Sequence, residues 1–358
     1  MHNDRLEKIR SNMKKREIEQ LIITCPDSIF YLLDEWIHPG ERMMALYVNQ
    51  EDKPKLILNA LFPIERDLGV EIINYDDTED PISYLRKLMN TNQTMGIDKE
   101  WPSRFLISLM EQEPKVKVVN SSIAVDASRM IKTSKEIQLM REASAVNDRA
   151  MGELVEFLKD PKHSELEMGN LLGAIYKKYN TPQFSFDPLI CYGANAAEPH
   201  HSSDETKLSS DQSIIIDIGG ITNNYASDMT RSFFYGQPTE EYENIYKLVH
   251  EANLAAIEKV KPGVKFSDID KAARSIIEAA GYGPYFTHRT GHNIGISCHE
   301  YPDVSSVNDM EVQEGMVFSI EPGIYLSGKY GVRIEDLVLV TKEGCEVLNK
   351  YPKTLRLL

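Results

Sequence analysis

Short apolar runs alternate with amphipathic stretches over the first third of the chain. LIITC (21–25), FYLLD (30–34), MALYV (44–48), KLILN (55–59) and VEIINY (70–75) read as strands. Apolar positions at helical spacing over 5–15 and 81–89 place amphipathic helices among them. This alternation predicts a small α/β domain. It contains no glycine loop of the kind that cradles a phosphate.

The pattern changes at about residues 120–133. Thr133 and Glu136 have the spacing of a capping box, in which each side chain satisfies a free backbone donor of the other's residue. The helix they open reaches about Leu158 and is stopped by Asp160-Pro161; Ser164 and Glu167 open a second. Two further helices cover about 240–260 and 267–280, the latter ended by Gly281. β-type runs lie between and after them: SIIIDIGG (213–220), YASDMTRSFFY (225–235), MVFSIEPGIY (316–325) and GVRIEDLVLV (331–340). The expected class is α+β, with an α/β N-terminal domain over 1–128 and a larger domain with an antiparallel sheet over 129–358. No solenoid repeat is visible.

Composition narrows the function. The 358 residues are 42% apolar and 27% charged, enough to bury a core in each of two domains. A formal net charge of −15 argues against a nucleic-acid partner, which requires a basic face. The polar start lacks the apolar core of a secretion signal, and no run approaches the roughly 20 apolar residues of a membrane span. Cys25, Cys191, Cys298 and Cys345 form no CxxC pair and read as reduced structural thiols. A cytoplasmic location, with no membrane partner, is the expectation.

Candidate chemistry lies in carboxylates at unusual places. An ionised carboxylate is costly to bury unpaired, so acidic residues avoid strand interiors. Yet Asp217 follows SIII, Asp228 follows YAS, Glu321 follows VFSI and Glu335 follows VRI. A turn at 219–224 can bring Asp217 and Asp228 face to face, and strands flanking 327–329 carry the other two. Any one of them alone reads equally well as a charge on an edge strand. Four together would repel one another, by about 4 kcal/mol per pair at 4 Å and an effective dielectric near 20. Two divalent cations cancel that charge and can supply an activated water. Oxygen-rich ligation with one imidazole favours Mn²⁺, Co²⁺ or Zn²⁺ over a thiolate-type site. The imidazole is offered by the histidines of PHH (199–201) and HRTGHNIGISCHE (288–300), where Gly291 and Gly295 free the backbone around His292 for close approach to a ligand.

IIIDIGG with YASDMTRSF, HRTGHNIGISCHEYP, FSIEPGIY and GVRIED together resemble the pita-bread (creatinase/aminopeptidase-like) metallopeptidases. That family comprises prolidase, aminopeptidase P, methionine aminopeptidase and the non-metal creatinase. PHHSS (199–203) and the linker at 130–143 are similar to it as well. The resemblance implies that Asp217 chelates one metal, that Asp228 and Glu335 bridge both, and that His292 and Glu321 complete the other. It makes Glu321 the proton shuttle of a metal-bridging hydroxide, His200 the donor that steadies the scissile carbonyl, and His299 the residue orienting substrate beside it. Arg333 resembles an arginine bracing a metal carboxylate, with Thr230 in support.

Asn293 stands where a glycine is frequent, and Cys298 beside His299 is unusual. The full ligand set argues against creatinase, and the N-terminal domain against methionine aminopeptidase. Xaa-Pro peptidases remain: a prolidase acting on Xaa-Pro dipeptides, or an aminopeptidase P acting on longer peptides. A catalytically silent binding module is the reading of another class. Glu41 and Arg42, in the loop DEWIHPGER (34–42), resemble a charged pair that reaches a dimer partner's site in short bacterial prolidases. Arg289 resembles an arginine that holds a dipeptide carboxylate. Asp303 departs from the pattern, since archaeal-type prolidases place an arginine there. The resemblance thus implies a homodimer taking proline-containing di- or oligopeptides, with two divalent metals per subunit, Mn²⁺ first and Co²⁺ or Zn²⁺ as alternatives.

Overall fold

The structure is a computed structural model describing residues 1–358, and it divides into two compact units, Met1–Arg129 and Met130–Leu358. No helix is long and apolar enough to cross a membrane.

The N-terminal unit is built on one mixed sheet. Its strands are β1 (Gln20–Ile23), β2 (Ala45–Asn49), β3 (Lys55–Asn59), β4 (Glu71–Tyr75), β5 (Met95–Ile97) and β6 (Val118–Asn120), in the order β4-β3-β2-β1-β5-β6. Helices α1 (Asn3–Lys15), α2 (Pro26–Leu33), α3 (Pro81–Leu88), α4 (Ser103–Gln112) and α5 (Ser122–Arg129) complete it. Ile22, Ala45, Ile57 and Ile97 form part of a core under the sheet.

One element corrects the sequence reading: FYLLD is helical. Pro26 sits at the start of α2, where its fixed φ is already helical and its missing N–H goes unmissed. Asp34 ends the helix in the left-handed region at φ 59°. Ser28 to Leu33 are all buried, and such a helix has no polar face to reveal its period. The run was therefore indistinguishable from a buried strand.

The larger unit holds α6 (Ser134–Phe157), α7 (Glu165–Lys178), α8 (Glu240–Lys259) and α9 (Phe266–Ala279). Both capping boxes form: Thr133 and Ser164 are the N-caps, each reciprocally bonded to Glu136 and Glu167. The strands are β7 (Gln183–Phe184), β8 (Leu189–Tyr192), β9 (Gln212–Ile218), β10 (Gly220–Thr222), β11 (Tyr225–Ala226), β12 (Met229–Tyr235), β13 (Gly291–Asn293), β14 (Glu300–Val304), β15 (Val317–Ile320), β16 (Gly323–Leu326), β17 (Tyr330–Arg333), β18 (Asp336–Val340) and β19 (Cys345–Val347). Every named strand pair here is antiparallel, as the α+β expectation requires.

Two apolar layers fix the sheets. Met151, Leu154 and Leu172 of α6 and α7 pack on Ile190, Ile214 and Ile216 of the β12-β9-β8 sheet. Val249, Ala252 and Ala256 of α8 and Ile269 and Ala273 of α9 pack with Phe318, Ile320 and Val338 of the β14-β13-β15-β18-β19 sheet. Full burial of each such large side chain contributes about 1.5–3 kcal/mol.

The long runs MVFSIEPGIY and GVRIEDLVLV each break in the middle. β15 and β18 pair in the five-stranded sheet, with Ile320 opposite Asp336; β16 and β17 form a separate hairpin, with Gly323 opposite Arg333. Glu321-Pro322 and Ile334-Glu335 are the two facing junctions. Asn253 of α8, fully buried, donates from its amide to Ile320 O at 3.0 Å and Ile334 O at 3.3 Å, satisfying carbonyls that the ladders leave.

Candidate metal centre

Two pairs of acidic residues converge from these elements. Asp217 lies within β9, opposite Thr230 of β12, and Asp228 immediately precedes β12. The face-to-face pairing expected of Asp217 and Asp228 is therefore a diagonal one, offset by two residues. An offset of two keeps both side chains on one face. Glu321 and Glu335 occupy the strand junctions, and their backbone N–H groups donate to Thr290 O at 2.8 Å and Thr230 O at 3.1 Å. His292 comes from β13. Its Nε2 lies 3.6 Å from Asp228 Oδ2 and 3.5 Å from Glu321 Oε1. Donor atoms of Asp228, His292 and Glu335 all fall within 4.8 Å of one another. Asp217, Asp228, His292, Glu321 and Glu335 line one cavity of about 530 Å³, together with His200, His299, Arg289 and Arg333.

A buried network holds the carboxylates. Arg333 donates from Nη2 to Asp217 Oδ2 at 2.7 Å, from Nε to Thr230 Oγ1 at 3.1 Å and from Nη1 to Tyr325 Oη at 3.0 Å. Thr230 Oγ1 in turn donates to Glu335 Oε2 at 2.7 Å. Ser319 Oγ donates to Glu321 Oε1 at 3.3 Å, and Cys298 Sγ donates to Asp228 Oδ2 at 3.3 Å.

The electrostatics are those of a site built for a cation. Burial, with neighbouring carboxylates adding to it, holds Asp228 and Glu335 well above the usual carboxylate range. Burial also lifts Glu321 to about 7. His292 is pushed down to about 3, first by burial and then by His299, which leaves a neutral imidazole with a lone pair to give. Asp217 Oδ1 and Asp228 Oδ1 are buried with no hydrogen-bond partner, although most buried polar atoms have one. Orphaned carboxylate oxygens and a neutral imidazole around one cavity fit divalent cations.

Comparison with known proteins agrees with this geometry. The model of metallopeptidase family M24 matches residues 138–342, and that of the creatinase/prolidase N-terminal domain matches residues 5–131. This chain belongs to metallopeptidase family M24. A protein of Staphylococcus epidermidis described as an uncharacterized peptidase is 37% identical to it, over 98% of this chain and 99% of the relative. The solved prolidase from Thermococcus sibiricus aligns with a TM-score of 0.93 and 30% identity, covering 100% of this chain and 99% of that one. The Xaa-Pro dipeptidase from Bacillus anthracis aligns with a TM-score of 0.88 and 29% identity, covering 99% of each. The resemblance to the Xaa-Pro peptidase branch of the pita-bread family, the fold class and the reading as a metallopeptidase are borne out.

His200 lines the cavity from the loop between β8 and β9. His299 lines it too and stacks obliquely on His292, with ring centroids 4.2 Å apart. Arg289 lines the cavity with its side chain 40% exposed, and Asp303 Oδ2 stands 4.0 Å from its Nη1. Asp303, the departure noted in the sequence, thus sits beside Arg289. Arg42 belongs to the N-terminal unit, where its guanidinium grips Asp77 through two bonds of 2.7 Å and Glu41 through one of 2.8 Å.

One reading needs correcting. The close approach that Gly291 and Gly295 permit is to the protein itself. A Cβ on Gly291 would lie 1.9 Å from Ser319 O of β15, and one on Gly295 2.7 Å from Glu300 Oε1. Asn293 is fully buried and donates to Pro302 O at 2.9 Å, so it braces β14.

Sequence reasoning missed three contributors. Tyr325 bridges His288 Nε2 at 2.8 Å and Arg333, and nothing in its local pattern marks it. His288 is a neutral, half-buried partner of that tyrosine, pushed down to about 4 mainly by desolvation. Glu165 is the third. Its fully buried carboxylate accepts from Tyr192 N at 2.7 Å, Asn195 Nδ2 at 3.0 Å and Asp204 N at 3.1 Å, and bonds His201 Nε2 at 3.0 Å. It clamps the loop that carries His200 on either side of that residue.

Proposed function

We propose that this M24 peptidase is a dinuclear metal-dependent exopeptidase that hydrolyses the Xaa-Pro bond of dipeptides. The observation that carries the reading is the convergence of four carboxylates and one neutral imidazole on a cavity with an arginine at its side. Asp217, Asp228, His292, Glu321 and Glu335 would hold two divalent cations, with Mn²⁺ best suited to the oxygen-rich set and Co²⁺ or Zn²⁺ as substitutes. Four carboxylates balance two such charges. The cations, when bound, supply Lewis acidity to the peptide carbonyl and acidity to a water.

The chain's own residues do the rest. Glu321 is the carboxylate with the most open side chain, 17% exposed against 11% for Asp217 and 5% for Asp228. It therefore reaches substrate most readily, and it takes the proton from water and passes it to the leaving proline nitrogen. His200 donates to the carbonyl oxygen as charge develops there, and His299 orients the peptide beside it. Arg289 is held only loosely by Asp303, which frees it to pair with the carboxylate of a dipeptide.

The test is mass spectrometry of the Mn²⁺-loaded protein given Met-Pro, Ala-Pro and Ala-Pro-Phe. Cleavage confined to the dipeptides supports the reading. Efficient trimming of the tripeptide makes the protein an aminopeptidase P, and no cleavage of any of them sinks both.

A further inference from the structure

Cys298 has no part in that chemistry, yet its sulfur lines the same cavity. Donor atoms of His292, Cys298 and His299 lie within 4.8 Å of one another. Asp228 joins them: its Oδ2 is 3.3 Å from Cys298 Sγ and 3.6 Å from His292 Nε2. A tetrahedral ion with Zn–O and Zn–N near 2.0–2.2 Å and Zn–S near 2.3 Å sets its donors roughly 3.3–3.7 Å apart. The measured S···O separation lies at the lower edge of that range and the N···O separation near its upper edge, so small shifts of the Asp228 carboxylate complete the geometry. The other oxygen of Asp228, buried and unpartnered, has no hydrogen bond of its own to give up when the carboxylate turns toward an ion.

The segment is also held in advance. Glu300 Oε1 accepts Ile296 N at 2.9 Å and Ser297 N at 3.2 Å, and Glu300 Oε2 pairs with Lys132 Nζ at 3.2 Å, both side chains buried. The two residues leading into Cys298 are therefore fixed by the fold and need little reordering to bind.

We propose that Cys298, His292, His299 and Asp228 form a second mode of cation binding, selective for thiophilic divalent ions such as Cd²⁺ and Zn²⁺. The ion forms a bond to Cys298 Sγ, and the thiol proton now donated to Asp228 leaves to solvent. Soft sulfur distinguishes this mode from the carboxylate-rich one, which suits Mn²⁺. An ion held here occupies His299 and His292 together, so it excludes peptide from the site. The inference shares Asp228 and His292 with the dinuclear reading but stands without it.

The test is titration of the metal-free full chain with CdCl₂ alone, following the ultraviolet sulfur-to-cadmium charge-transfer band. One equivalent should saturate the band, Cys298→Ser should abolish it, and the variant carrying Cys25→Ser, Cys191→Ser and Cys345→Ser should keep it. His299→Ala should weaken Cd²⁺ binding by at least the roughly tenfold that loss of a supporting group produces. No band in the wild-type protein, a band surviving in Cys298→Ser, or its loss in the triple variant overturns the proposal. If Cys298→Ser does not fold by circular dichroism, the triple variant decides alone. Mn²⁺ titration by electron paramagnetic resonance separates the two readings: a cadmium band without Mn²⁺ binding removes the dinuclear centre and leaves the thiolate site.

Discussion

Arg333 and Asp217 are bound at 2.7 Å through Nη2 and Oδ2, inside a cavity where Arg333 also touches Thr230 and Tyr325. One guanidinium thereby sets the orientation of two carboxylates, Asp217 directly and Glu335 through Thr230. Arg333→Ala should lower metal affinity or kcat/KM by about 10–100-fold, the usual cost of losing an outer support. Arg333→Lys should recover little of it, because a point charge cannot reproduce three divergent bonds. Calorimetric Mn²⁺ titration and dipeptide kinetics check both; a fully active lysine variant would contradict the bracing role.

Metal removal should cost stability, and more at high pH than at low. Burial raises Asp228 and Glu335 above their unfolded values and Glu321 to about 7. A raised carboxylate pKa means stability that is complete below the unfolded value and lost as pH rises through the folded one. The chelated protein should therefore melt earlier at pH 8 than at pH 5, relative to the Mn²⁺-loaded protein. At a metal concentration of 100 Kd the loaded form gains about 2.7 kcal/mol. Paired thermal melts read this directly, and equal gaps at the two pH values would refute it.

Removing Glu165 should separate the His200 loop from the metal centre. Glu165→Ala releases the bonds to Tyr192, Asn195, His201 and Asp204. Small misplacements of a reacting group can cost on the order of 10²-fold, so kcat should drop by about that much while Mn²⁺ affinity holds. Glu165→Gln, which keeps the shape, should restore part of it. Loss of Mn²⁺ affinity in step with kcat would show a general collapse instead.

Gly291→Ala should be among the more damaging single methyl additions. The new Cβ meets Ser319 O at 1.9 Å, and neither strand can retreat without moving His292 or Glu321. Overpacking of this kind costs about 1–3 kcal/mol. Denaturant melts should show the loss, and Mn²⁺ affinity should fall with it.

Much of this was legible in the chain because carboxylates in apolar strands and capping boxes are local signals. Thr133 and Ser164 start helices where their spacing says, and the antiparallel sheet follows from the β-type runs. FYLLD has the look of a strand because a helix buried all round shows no period. β5 and β6, three residues each, are too short to carry a pattern. Tyr325 and Glu165 escaped for another reason. Their partners lie far along the sequence, His288 37 residues from Tyr325 and Asp204 39 residues from Glu165, and no local pattern encodes such a pair.

The strand junctions at Glu321-Pro322 and Ile334-Glu335 carry a consequence for how such a protein can change over time. Both carboxylates are spliced into the load paths of the core, where a slip of one residue would turn every neighbouring side chain inside out. His200 sits on a loop between β8 and β9 that is held by bonds to the Glu165 side chain rather than by strand pairing. A change in that loop therefore disturbs side-chain bonds alone, while the acidic centre is inherited whole or lost with the fold.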